Sequence, residues 1–254
     1  MAVPGLTYSH RPLNFGHRGA TALAPENTLA GFQKAREMGA DGVELDVMLS
    51  SDGQVVVRHD SSVERTTDGC GRVRELTLEQ LKDLDAGAWF GPQFAGERIP
   101  TLAQVLQWAG HDMLLNIELK TLSPLSTGLE EKVARLIRQY HLSSRVVLSS
   151  FNPFALRRVR KMAPELHTGL LYAPGLPVYL LRAWLRPLAQ PDALHPQFEM
   201  VSDGFLQWAN RMGYRVNVWA PVEADDLRRL IARRVDMIIT DRLDVLAAEL
   251  RQHS

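Results

Sequence analysis

The chain has 254 residues, 45% hydrophobic and 23% charged, the proportions of an ordinary globular protein with one large domain or two small ones. Its 29 basic residues are balanced by 29 acidic ones, which argues against a nucleic acid as its main partner, since binding a polyanion needs a basic surface, and any anion site must be local. The single cysteine, Cys70, cannot form an internal disulfide, and no Cys/His cluster has zinc spacing; both point to a reducing, cytoplasmic setting.

The N-terminal stretch lacks the basic start and unbroken apolar core of a secretory signal, so no export is expected. From LNFGHRG onward, short β-branched or apolar runs alternate with helix-length amphipathic segments. Strands are predicted near 13–19, 42–49, 114–120, 146–151, 168–172, 192–196, 215–220 and 237–241. Helix starts are predicted at Asn27, Thr101 and Asn152-Pro153, and Gly39 closes the first helix. Residues 52–60 read as the returning arm of a hairpin with Asp52-Gly53 in its turn, and 61–98 as an insertion holding one short helix, TLEQLKDL. The stretch Pro177 to Leu188 is apolar but interrupted by Arg182 and Arg186, too short and too charged to span a bilayer, and reads as an outer helix. Eight βα units in 254 residues predict one α/β domain, a closed (β/α)8 barrel with a small insertion after the second strand. A doubly wound open sheet is the alternative; polar strand ends spread along the chain fit a barrel mouth better.

Those strand ends carry the chemistry. In GVELDVML, Glu44 and Asp46 are two apart, so a strand places both carboxylates on one face and Val43, Leu45 and Val47 on the other. Two adjacent carboxylates in a poorly solvated site need a cation or protons to neutralise them. NIELK places Glu118 and Lys120 together in the same way. Spacing alone leaves two readings open, a metal site or structural ion pairing of Glu118 with Lys120 beside solvated strand ends. The histidines favour the first: His17 ends the first strand, and in VVVRHD the alternation puts His59 on the face of Val55 and Val57, with Arg58 and Asp60 opposite. Glu44, Asp46 and Glu118 carry three negative charges, and a divalent cation with Arg18 and Lys120 carries four positive ones. The remaining positive charge matches a phosphodiester monoanion. Carboxylate-only ligation favours Mg2+ or Ca2+, and two imidazoles near neutrality can serve as general acid and base.

The motifs His17-Arg18-Gly19, Pro25-Glu26-Asn27-Thr28, Glu44-Leu45-Asp46, His59-Asp60 and Glu118-Leu119-Lys120, followed by SSF, VNVW and DMIITDRLD, closely resemble the glycerophosphodiester phosphodiesterase family from about residue 13 to about residue 250. The resemblance implies a TIM barrel that hydrolyses glycerophosphodiesters, such as glycerophosphocholine or glycerophosphoethanolamine, to sn-glycerol 3-phosphate and an alcohol. It implies His17 and His59 as the acid–base pair, Glu44, Asp46 and Glu118 as ligands of one divalent cation, and Arg18 and Lys120 as holders of the phosphate. Trp219 and Phe151 are expected to wall the substrate pocket, with Ser150 beside them, and Glu26 to face it; capping accounts for Asn27. His195 is left outside the catalytic set, and His10 and His253 read as surface residues. After Trp219 the chain has Ala220-Pro221-Val222 where many relatives have polar residues, so recognition at the mouth is expected to differ.

Two rival functions follow from the same residues. A lysophospholipase D-type enzyme would need an apolar path, for which Ala173-Pro174-Gly175-Leu176 and the apolar segment after it are candidates. A silent binding barrel would have no reason to keep two histidines and three carboxylates together. The expected partner is a small-molecule glycerophosphodiester, with neither nucleic acid nor a transmembrane segment, and apolar outer helices permit a homodimer.

Overall fold

The computed structural model describes residues 10, 12–121, 123–175 and 183–252. Eight parallel strands close a barrel: β1 (Leu13–Gly16), β2 (Gly42–Leu49), β4 (Leu114–Leu119), β5 (Val146–Ser150), β6 (His167–Tyr172), β7 (Ala193–Pro196), β8 (Arg215–Trp219) and β9 (Met237–Thr240). β1 pairs with β9 on one side and with β2 on the other, which completes the ring. β3 (Val55–Val57) is outside it, antiparallel to β2. The helices are α1 (Leu29–Glu37), α2 (Leu78–Asp83), α3 (Leu102–Ala109), α4 (Leu129–Gln139), α5 (Pro153–Met162), α6 (Arg186–Ala189), α7 (Asp203–Arg211), α8 (Ala224–Ala232) and α9 (Leu243–Gln252).

Every predicted barrel strand is present within a few residues of its expected limits. The reason is burial on both faces: β1, β5, β7 and β9 are buried throughout, so each is a short apolar run between polar or helical segments. Leu13, Phe15, Val147, Met237 and Ile239 fill the interior, and outward residues such as Val43, Leu45, Ile117 and Leu148 pack against Phe32, Val105, Val133 and Val159 of the helices. Thr101 caps α3 with a reciprocal Gln104 contact, and Asn152 caps α5 with Pro153 in its first turn. Gly39, at φ 77, follows α1 as expected. The cap of α1 differs from expectation. Thr28, not Asn27, accepts from the Gly31 amide, and Asn27 adopts φ 55 with its side chain directed elsewhere.

The hairpin connection is Ser50–Gln54, with the Ser50 amide donating to the Gln54 carbonyl and Gly53 at φ 75. The insertion contains α2 as predicted, and it also carries a small apolar cluster (Val63, Val73, Leu81, Ala86 and Ile99) built on Val56 of β3. No periodicity marks this cluster in the sequence, because its residues are scattered through short turns. Of the apolar segment 177–188, residues 177–182 lie outside the described residues, as do Leu176 and His253; the remainder enters α6. Among the described residues no helix is long and apolar enough to cross a membrane.

Candidate active site

Strands β2 and β4, the segments that follow β1 and β4, and the returning arm of the hairpin bring together the polar residues singled out in the sequence. β2 is buried along most of its length and holds Glu44 and Asp46 inward, 5% and 1% exposed; β4, in register with Glu44 opposite Asn116 and Asp46 opposite Glu118, brings the third carboxylate alongside. One oxygen from each of Glu44, Asp46 and Glu118 lies within 4.8 Å of the other two. Lys120, one residue beyond β4, places Nζ 3.0 Å from Glu118 and 3.4 Å from Asp46. The ion pair considered as a structural alternative is thus present, and it belongs to the carboxylate cluster.

His17 and Arg18 leave β1 in a tight turn that packs on α1. Gly19, at φ 95, would place a Cβ 2.8 Å from the Gly31 backbone, so only glycine fits there. Arg18 itself sits at φ 55, a left-handed conformation costing about 1 kcal/mol for a non-glycine residue. This turn aims the Arg18 amide at Glu44 Oε2, 3.0 Å away, while its guanidinium reaches Glu26 at 3.1 Å and Asp46 at 3.6 Å. Asn27 donates from Nδ2 to Asp46 at 2.9 Å and accepts from the Asp46 amide, so it orients a carboxylate where sequence logic assigned it to a helix end.

His59 reaches the site by a different route from the one its alternation suggested. The regular strand stops at Val57, and His59 and Asp60 lie in a bend where their side chains meet, His59 Nδ1 to Asp60 Oδ1 at 2.7 Å, instead of facing opposite ways. Because β3 runs antiparallel, it descends along β2 and brings Arg58 level with Asp46, whose carbonyl accepts from the Arg58 amide. His59 therefore enters from the returning arm of the hairpin, as expected for residues 52–60, but from the bend past its last paired residue and not from a strand end.

A cavity of about 280 Å³ joins these groups. His17, Arg18, Glu44, His59, Glu118 and Lys120 line it together with Phe151, Leu171, Gln197, Trp219 and Ala220. Phe151 and Trp219 meet edge to face with ring centroids 5.8 Å apart, and the Trp219 indole donates to the His195 carbonyl, which fixes that wall. Asn116 and Ser149 form the floor, and Asn116 Oδ1 and Ser149 Oγ are buried with no protein hydrogen-bond partner. Ser150, expected beside the pocket, turns away and donates to the Leu119 carbonyl. His195 is fully buried, with Nε2 against Asn217 Nδ2, and burial lowers its pKa to about 3; it is a neutral residue of the barrel interior. His10 is exposed and pairs with Asp41.

Electrostatics show why the cluster suits a cation. Burial and the neighbouring Asp46 charge push Glu44 up to about 8, and the same two causes push Glu118 up to about 7. Burial also opposes the charge on Asp46, but Lys120, His59, Arg18 and the Asn27 hydrogen bond outweigh it and lower its pKa. Three carboxylates at this spacing stay ionised together only with a further positive charge among them, and an all-oxygen donor set suits a hard divalent ion. The two imidazoles are driven apart. Burial opposes a charge on His17, but the hydrogen bond to Asp241 and the charges of Glu44 and Asp241 outweigh it and raise the pKa. For His59 burial dominates and, with Lys120 and Arg18, lowers it.

Sequence reasoning missed two residues here. Asp241 accepts from His17 Nδ1 at 2.8 Å and from Thr21 Oγ1 at 2.8 Å, leaving His17 Nε2 directed toward Glu44, 4.0 Å away. Its signal was available, since it is the first residue beyond β9, at the mouth end of a strand. Arg65, in the insertion, binds both Glu26 and Asp60, and no local pattern marked it.

A closed (β/α)8 barrel whose mouth joins three clustered carboxylates, two histidines and two cationic side chains has the make-up of a barrel enzyme's active site. Residues 17–245 match the model of the glycerophosphoryl diester phosphodiesterase family, and the chain belongs to that family. A glycerophosphodiester phosphodiesterase of Caldanaerobacter subterraneus subsp. tengcongensis is 43% identical over 95% of this chain and 99% of its own length. Among solved structures, a glycerophosphodiester phosphodiesterase from Agrobacterium tumefaciens superposes with a TM-score of 0.80 at 30% identity, covering 92% of this chain and 98% of the other. A phosphodiesterase from Oleispira antarctica, solved with the product sn-glycerol-3-phosphate, gives 0.82 at 30% identity, covering 95% and 97%. The chain is accordingly an enzyme of the glycerophosphodiester phosphodiesterase class.

Proposed function

We propose that this cavity hydrolyses a glycerophosphodiester, such as glycerophosphocholine or glycerophosphoethanolamine, to sn-glycerol 3-phosphate and an alcohol. The observation that carries the reading is the convergence of Glu44 and Glu118 with His17, His59, Arg18 and Lys120 in one cavity of about 280 Å³, with buried Asp46 completing the carboxylate cluster. Glu44, Asp46 and Glu118 would hold one Mg2+ or Ca2+, which when bound supplies positive charge and Lewis acidity at a phosphate oxygen and a glycerol hydroxyl. Arg18 pairs with Asp46, and Lys120 with Asp46 and Glu118; with a cation held by those carboxylates, the two side chains would be available to the phosphate oxygens, where they would stabilise charge that grows on the phosphoryl group. One imidazole takes the proton of the attacking O–H as its oxygen bonds to phosphorus; the other protonates the alcohol oxygen as the phosphorus–alcohol bond breaks. The attacking oxygen is that of water, which gives sn-glycerol 3-phosphate in one displacement, or of the glycerol 2-hydroxyl, which gives a cyclic phosphate that water then opens by forming a P–O bond and breaking the bond from phosphorus to the 2-oxygen; the same pair serves each step. Trp219 and Phe151 form the wall against which glycerol rests.

The test compares glycerophosphocholine with its 2-deoxy analogue and a simple dialkyl phosphate. Both lose a glycerol handle while keeping the monoanion, so both should turn over far more slowly, in kcat as well as KM. Equal rates would reduce the site to an unspecific phosphodiesterase. Lysolipid cleavage remains a second reading because Leu125 and Phe154, 76% and 38% exposed, stand on adjoining segments just past β4 and β5, on the mouth side. Lysophosphatidylcholine assayed beside glycerophosphocholine separates the two substrates.

A further inference from the structure

Arg65 contacts neither the carboxylate cluster nor the cavity wall, yet it binds the carboxylates that hold Arg18 and His59. It lies in a short 3-10 turn, Glu64–Thr66, with its side chain 47% exposed. Buried Arg58 secures that turn, donating from Nε to the Ser62 carbonyl at 2.8 Å and from NH1 to Thr66 Oγ1 at 2.7 Å. From this base the Arg65 guanidinium reaches two carboxylates. NH1 and NH2 donate to Glu26 Oε2 and Oε1 at 2.8 and 2.7 Å, and Nε donates to Asp60 Oδ2 at 2.5 Å. Each carboxylate leads inward. Asp60 Oδ1 holds His59 Nδ1 at 2.7 Å, and Glu26 Oε1 accepts from Arg18 NH1 at 3.1 Å.

We propose that Arg65 is a positioning residue that uses one guanidinium to fix His59 through Asp60 and to keep Arg18 available to the phosphate through Glu26. The inference rests on the roles given above to His59 and Arg18. Glu26 offers two oxygens, and Arg65 engages both with a planar fork, so Arg18 holds only the longer, shared contact. Without Arg65, Glu26 stays ionised at the mouth with Arg18 as its remaining cationic partner. Arg18 is then drawn from the phosphate, and the four-member group of Arg18, Glu26, Asp60 and Arg65 changes from neutral to net negative beside an anionic substrate. On the other arm, Asp60 loses the donor on Oδ2 that stops its carboxylate rotating, and the His59 ring loses its fixed orientation. The first effect weakens substrate binding and the second slows turnover, so the two can be read separately.

The experiment measures kcat, KM and melting temperature of the metal-loaded enzyme with glycerophosphocholine, together with calorimetric affinity for sn-glycerol 3-phosphate. Arg65→Met should lower kcat/KM by about 10- to 100-fold, the scale on which misplaced catalytic groups cost rate, shared between higher KM and lower kcat. Adding Glu26→Gln to Arg65→Met removes the uncompensated charge and should restore product affinity and KM while kcat stays low. Arg65→Lys keeps the charge but cannot span three oxygens, so it should recover KM and leave kcat depressed. Asp60→Asn, made in the wild-type background, should lower kcat with little change in KM, and keeps the test open if the Arg65 variants fold poorly. The proposal is overturned if Arg65→Met stays within about twofold of wild type, or if Met and Lys variants lose activity equally in step with melting temperature and Glu26→Gln rescues nothing. His59→Ala and Arg18→Gln serve as references. If they are active, the underlying reading of the site is wrong; if they are inactive while Arg65→Met is normal, only the role of Arg65 falls.

Discussion

Metal affinity should depend steeply on pH, because the carboxylates that would hold the ion take up protons in its place. Burial and mutual repulsion hold Glu44 at about 8 and Glu118 at about 7, so near pH 6 the cation must displace both protons. A group titrating at about 8 weakens binding by about 50-fold between pH 8 and pH 6, and one at about 7 by about a further tenfold, so affinity should fall by roughly 10²- to 10³-fold across that interval. The stability of the metal-free protein carries the same signature with a defined sign. Glu44 keeps its proton in the fold up to about 8, whereas a free glutamate releases it near 4.5, so the folded state holds the extra proton throughout that window. Stability of the metal-free form therefore declines as pH rises through the window, and the cation's stabilising effect on melting temperature grows. Calorimetric titration of Mg2+ or Ca2+ in two buffers of different ionisation enthalpy counts the protons released; about two are expected near pH 6 and fewer than one near pH 8. Binding that changes less than about fivefold over this range, with no proton release, would refute the reasoning that these three carboxylates share one cation.

Four further outcomes follow. His17→Ala and His59→Ala should each lower turnover at least about a hundredfold with the fold intact by circular dichroism, since both lie beyond the strands and outside the packed interior. Glu44→Gln keeps side-chain size but removes one charged ligand, so activity should fall and partly recover with excess cation, a dependence visible in an activity-against-metal titration. Asp241→Asn removes the carboxylate charge that favours the imidazolium form of His17; kcat should fall by at least about tenfold with glycerophosphocholine, and much less with a diester of a good leaving group if His17 is the acid. His195→Gln should cost stability in thermal unfolding, because the ring fills buried space beside Asn217 and Gly169.

The barrel was legible because its information is local. Runs such as VVLSS and MIIT are buried on both faces and stand between helices with recognisable caps, so the number of strands follows from pattern alone. Glu44, Asp46, Glu118 and Lys120 were legible for a related reason, since two-residue spacing on a strand forces neighbours onto one face. Less visible was anything that depends on how the chain returns to itself. His59 looked like the end of an alternating strand, but regular pairing stops at Val57, and the bend turns His59 and Asp60 toward one another. Pro25-Glu26-Asn27-Thr28 contains two side chains able to cap a helix; Thr28 takes that role, which leaves Asn27 to Asp46, a contact between segments 19 residues apart. Asp241 is 224 residues from the histidine it holds, and Arg65 is 39 residues from Glu26. Asp241 could be placed at the mouth by its position just past β9, but its pairing with His17, like that of Arg65 with Glu26, leaves no periodicity or spacing and is disclosed only by the closed ring and the folded insertion.

The most direct test of the account is hydrolysis of glycerophosphocholine by chelator-treated enzyme, followed by phosphorus NMR while Mg2+ or Ca2+ is added back. The account predicts no turnover in chelator and, on addition of either suitable ion, a single phosphorus product identified as sn-glycerol 3-phosphate, with Glu44→Gln requiring more ion than wild type. Full turnover in the presence of chelator, or an ion requirement left unchanged by Glu44→Gln, would contradict it.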